Sequence, residues 1–154
     1  MQEILDNADK AILMAVQENA RTGLDALADL TGLSVATAQR RLKRLRDIGV
    51  IEREITLLDP AKVGQHMSFI VMVELERERL DQIDNFSRRA KAEPQVQQCY
   101  YVTGEADFCL ICTAKDMSDF EALTERLFFD DANVRRFRTS VVMGRRKVGL
   151  GVSI

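Results

Sequence analysis

Apolar positions change their spacing once along this chain. Up to about residue 58 they recur every three or four residues, the period of helices with one buried stripe, and the pattern predicts three of them. Asp6 or Asn7 can cap the first, which buries Ile12, Leu13 and Val16 and fades at Asn19. A short second helix covers residues 24–30. Gly32 then supplies a left-handed turn, and Ser34 can cap a third helix over 34–48 that Gly49 ends. Residues 51–58, with Glu52-Arg53-Glu54 inside, are expected as a short, charged edge strand or wing.

Asp59-Pro60 and then Gly64 break this pattern, and beyond them the apolar positions alternate. Met67, Phe69, Val71, Val73 and Leu75 share one face of a strand, with Ser68, Ile70, Met72 and Glu74 on the other. A helix over 80–92 follows. Strands over 96–102 and 108–114 are joined by a tight loop containing Gly104, and then come a helix over 117–129 and a strand over 134–143. The order βαββαβ predicts a ferredoxin-like domain, in which two helices cover one face of a four-stranded antiparallel sheet. Ile70 and Met72 lie on the face left over. They are too apolar for water, so a second subunit is the expected cover and the chain at least a dimer.

Composition narrows the class of protein. With 46% hydrophobic and 30% charged residues and no apolar run long enough to span a bilayer, the chain reads as a soluble protein with no membrane role. Acids at Glu3, Asp6 and Asp9 stand where an export signal would be basic, so a cytoplasmic location is expected. Three cysteines, an odd number, argue against a disulfide framework. Cys109 and Cys112 do form a C-x-x-C. An odd separation on a strand sends the two thiols to opposite faces, which argues against a metal or redox pair. No metal-spaced cluster, Ser/His/Asp set or phosphate-cradling glycine loop is present, so no metal, cofactor or catalytic residue is expected.

The net charge of −2 counts against a nucleic-acid partner unless the charge is unevenly placed. It is uneven. From Ser34 to Arg46 the third helix carries Arg40, Arg41, Lys43, Arg44 and Arg46 and no acid. At 100° per residue Val35, Ala38, Leu42 and Leu45 fall on one side, while Ala36, Thr37, Arg40, Lys43 and Arg44 share the other. Ala28, Gly32 and Ser34 have the spacing at which two helices cross through a sharp turn, so the segment reads as a helix-turn-helix on double-stranded DNA. Ser34 caps its reading helix. Val35, Ala36, Thr37 and Arg40 are the candidates near base edges, and Arg41, Lys43, Arg44 and Arg46 the candidates for phosphates.

Several blocks in order resemble the leucine-responsive regulator and asparagine-regulator (Lrp/AsnC) family of transcription factors. They are Leu5-Asp6 with Asp9, Glu18-Asn19-Ala20-Arg21, Leu27-Ala28 with Gly32-Leu33-Ser34, Arg41 with Leu45, Gly49-Val50-Ile51, and Val102-Thr103-Gly104 with Asp107-Phe108. Ala38, Glu105-Ala106 and the tail over 145–154 depart from the family pattern. The resemblance implies an α+β chain: a winged helix-turn-helix domain over 1–58, a linker over 59–65 and a ferredoxin-like ligand-sensing and oligomerisation domain over 66–154. It also implies homodimers that assemble to octamers and a small amino-acid effector bound where effector domains meet. A free amino acid needs an acceptor for its ammonium and amide donors for its carboxylate. Thr103, Gly104, Glu105, Ala106 and Asp107 are the expected site, though a plain hairpin turn uses the same residue types.

Two alternatives remain at this point. Relatives of this architecture decarboxylate sirohaem, a chemistry that calls for a basic pocket with histidine, and the one histidine here, His66, is remote in sequence from the Gly104 loop. The other is an amino-acid sensor without DNA binding, which would leave Arg40, Lys43 and Arg44 without a purpose.

Overall fold

The computed structural model describes residues 5–154, so Glu3 lies outside the described residues. The chain divides into two compact units: one runs to Leu57 and includes Lys147–Ile154, the other is Leu58–Arg146.

In the first unit Asp6 opens α1 (Asn7–Glu18) through a capping box: its side chain accepts from the Asp9 amide and the Asp9 side chain accepts from its own. Helix α2 (Leu24–Thr31) ends at Gly32, whose φ of 69° is the left-handed conformation that glycine adopts at little cost. Helix α3 (Val35–Asp47) starts at Ser34, which accepts from the Thr37 amide. The three enclose Ile12, Leu13, Leu27, Ala28, Ala38, Leu42 and Leu45. Ala38, one of the departures from the family pattern, is fully buried.

The second unit contains β1 (Met67–Leu75), α4 (Leu80–Ala92), β2 (Val96–Tyr101), β3 (Phe108–Ala114), α5 (Met117–Thr124) and β4 (Val134–Val141). The strands lie in the order β2-β3-β1-β4, all antiparallel, which is the ferredoxin-like topology. Past Thr124 the fifth helix widens into a π turn over Glu125–Phe129 that keeps Leu127 and Phe128 in the core. The alternation of β1 sends Phe69, Val71, Val73 and Leu75 under the helices. Phe69 stacks on Phe120 with ring centroids 3.7 Å apart.

One expectation is corrected. Residues 51–58 form no strand ladder, because the described residues of the unit include three helices but no strand whose edge they could pair with. Ile55, Leu57 and Leu58 are left exposed. The tail from Lys147 on belongs to the first compact unit. There the Gln17 side chain donates to the Val152 carbonyl at 2.9 Å and accepts from the Val152 amide at 2.8 Å, copying one rung of a sheet.

Candidate nucleic-acid interface and effector loop

The cap at Ser34 and the burial of Ala38, Leu42 and Leu45 fix which side of α3 meets the rest of its unit. Val35, Ala36, Gln39, Arg40, Lys43 and Arg46 remain exposed on the others, and Thr37 is half-buried. Val35, placed by the helical wheel on the docking side, is in fact open to water at the first turn. That is where a reading helix meets base edges.

The five cations of α3 are not equivalent. Arg41 reaches Asp6 at 2.7 Å and Asp9 at 2.9 Å, and Arg44 reaches the other oxygen of Asp9 at 2.7 Å. Both arginines therefore tie α3 to α1. The Asp9 amide and then Arg41 pull the Asp6 carboxyl below its usual range, and Asp6 and Asp9 raise Arg41 in return. Lys43 pairs with Asp47 at 2.7 Å and Arg46 with Glu54 at 2.6 Å. Arg40 forms no ion pair among the described residues.

Asp9 was absent from the sequence-based site, although a signal for it existed. It precedes Ile12 and Leu13 by three and four residues, which puts a carboxylate on the buried stripe of α1, and such a group requires a cation.

In the second unit the loop between β2 and β3 is closed by the Val102 amide donating to the Asp107 carbonyl at 2.8 Å. The Asp107 amide donates to the Val73 carbonyl at 2.9 Å, and the Leu75 amide donates to Asp107 Oδ2 at 2.6 Å. Asp107 thus pins the loop to β1 with one oxygen and leaves Oδ1 without a partner among the described residues. Thr103, Gly104 and Glu105 are exposed and Ala106 is buried. The amides of all four donate no hydrogen bond among the described residues, and Gly104 has a φ of 118°. Arg138, beside Glu74 at 3.0 Å and Glu105 at 3.6 Å, and Arg136, which holds the Glu74 carboxyl below its usual range, add cations on the adjoining strand.

The C-x-x-C is not a site. Cys112 is buried in the core, where burial pushes its thiol up to about 12, while Cys109 is half-buried on the opposite sheet face. Burial also raises Cys99. Among the described residues no group of three or more His, Cys, Asp or Glu side chains is placed to hold a metal, and no helix is long and apolar enough to cross a membrane.

A basic helix presented from a sharp turn, followed in the same chain by a ferredoxin-like sheet domain, defines a two-domain helix-turn-helix regulator. Residues 5–52 match the winged helix-turn-helix DNA-binding family and residues 68–151 the Lrp/AsnC ligand binding domain. The chain belongs to the Lrp/AsnC family of DNA-binding transcriptional regulators.

The HTH-type transcriptional regulator y4tD of Sinorhizobium fredii is 49% identical over 97% of this chain and 89% of its own length. The regulator AldR of Mycolicibacterium smegmatis is 33% identical over 90% of this chain and 81% of its own. Among solved structures, a transcriptional regulator from Neisseria meningitidis in complex with L-Met superposes with a TM-score of 0.90 at 28% identity, covering 97% of each chain.

Proposed function

We propose that this regulator works as a cytoplasmic homo-oligomer in which α3 enters the major groove and the β2–β3 loop receives a small amino acid. The observation that carries the DNA assignment is the two-sidedness of α3: Ala38, Leu42 and Leu45 are buried while Val35, Ala36, Arg40 and Lys43 stay open. Ser34, Val35, Ala36, Thr37 and Arg40 are assigned to base edges and nearby phosphates, and Lys43 to phosphates. Two α3 helices related by a dimer axis would read half-sites about one turn of DNA apart.

For the effector, four loop amides without acceptors suit a carboxylate, and Asp107 Oδ1 suits an ammonium. The Neisseria meningitidis regulator was solved with L-Met, as was the feast or famine regulatory protein of M. tuberculosis, which makes methionine the first compound to try. Ligand bound between subunits would shift their spacing or assembly and so change DNA affinity. The reading is non-catalytic, since His66 is an exposed residue before β1.

The test is a thermal-shift screen against the twenty amino acids, beginning with L-methionine, on the natural protein and on Asp107→Asn. The amide can still accept from Leu75 but lacks the charge, so the variant should melt normally alone and lose most of the ligand-induced rise. A rise that survives the substitution would move the ammonium site elsewhere. For DNA, retention of duplexes from a randomised pool should fall steeply with salt.

A further inference from the structure

The acidic partners of the α3 cations sort them into two kinds. The Lys43–Asp47 and Arg46–Glu54 pairs lie in water on both sides. Such pairs are screened and weak, so a DNA phosphate can take the place of the carboxylate. Arg41 and Arg44 close instead on the two oxygens of Asp9, whose side chain is 2% exposed. Drawing them toward a phosphate would leave a carboxylate uncompensated where water scarcely reaches, a far heavier cost than breaking a surface pair. Asp6 adds a second anchor, since it holds Arg41 through one oxygen and the Asp9 amide through the other.

We propose that Asp9 is a positioning residue for DNA reading: it commits Arg41 and Arg44 to the seam between α1 and α3, fixes the rotation of α3 about its axis, and leaves phosphate attraction to Arg40, Lys43 and Arg46. The proposal rests on the assignment of α3 as the reading helix. Phosphate contacts bind all sequences alike, so each cation kept from the backbone lowers the salt dependence on every duplex equally. The ratio of specific to non-specific binding depends instead on the rotation of α3, which Asp9 fixes through both arginines and which sets where the base-facing side chains lie. The role of Asp9 also revises the sequence-based assignment of Arg41 and Arg44 as phosphate holders.

The test titrates the full-length protein by fluorescence anisotropy, over a salt series, against a random-sequence duplex and against the best duplex selected from a randomised pool. Arg40→Gln should flatten the plot of log affinity against log salt by about 0.9 per reading helix engaged. Arg41→Gln should leave that slope unchanged. Asp9→Asn, which loosens α3 against α1, should shrink the selected-to-random affinity ratio severalfold, and Asp6→Asn added to it, which removes the remaining hold on Arg41, should steepen the slope on random DNA by about 0.9 for that arginine per reading helix. Circular dichroism reports folding, and if Asp9→Asn does not fold, the slope of Arg41→Gln decides alone. An Arg41→Gln slope as flat as that of Arg40→Gln overturns the proposal, as does a folded Asp9→Asn protein with the natural ratio. If the natural protein binds neither duplex, the assignment of α3 itself falls as well.

Discussion

Asp6 shows how a single side chain can do two local jobs. One oxygen accepts from the Asp9 amide at 2.8 Å, which closes the start of α1, and the other meets Arg41 of α3. Both partners favour the charged form, so the folded carboxyl titrates below its ordinary value of 3.8. The folded state then binds fewer protons than the unfolded chain in that range. Stabilisation from Asp6 is therefore complete above the ordinary value and lost as pH falls through the lower, folded one. Asp6→Asn should melt below the natural protein at about pH 6, and the gap should close toward about pH 3. Differential scanning calorimetry at the two pH values checks this, and a gap that does not change with pH would show that the Arg41 pair contributes nothing.

At the scale of the element, α3 depends on its first turn. Ser34 accepts from the Thr37 amide at 3.2 Å and donates to the Thr37 hydroxyl at 2.9 Å, so the cap also orients a side chain on the candidate reading surface. Ser34→Ala should cost about 1 kcal/mol in urea unfolding of the chain and weaken binding to a selected duplex more than to a random one. Equal losses on both duplexes would mean that the cap acts through stability alone.

The elements themselves were largely legible in the sequence. Asp6, Gly32, Ser34 and Gly49 act through neighbours within a few residues, and the alternation from Met67 to Leu75 needs only a sheet to lie in. What could not be read depends on partners distant in sequence. The Arg41 and Arg44 pairs require α1 and α3 to cross at a particular rotation, and Gln17 meets Val152 across 135 positions. Residues 51–58 have strand-like composition but find no edge to pair with. Asp107 was read for its charge, whereas half of its carboxylate serves the β1 backbone.

At the scale of the whole molecule, the proposed pairing of reading helices turns on the sheet face away from α4 and α5. Ile70 lies opposite Ile111 and Met72 opposite Cys109 across β1 and β3, with Ser140 and Arg138 beyond them on β4. Ile70 remains 39% exposed, and Met72, Cys109 and Ile111 are half-buried, so an apolar centre with a polar edge faces outward. An interface core with a polar rim has this composition. A second copy covering it would supply the second α3, and with a net charge of −2 and two arginines held by Asp9, one copy alone has little attraction for DNA. Ile111→Glu puts a charge at that centre without touching the core beneath, so each chain should fold as before but sediment as a smaller species. Joining two readers raises affinity by about 10² to 10⁴ over one, and the variant should lose a factor of that order on a two-half-site duplex while keeping its affinity for a single half-site. Analytical ultracentrifugation beside anisotropy on the two duplexes separates the effects. A variant that keeps the natural sedimentation coefficient would show that subunits join through another surface.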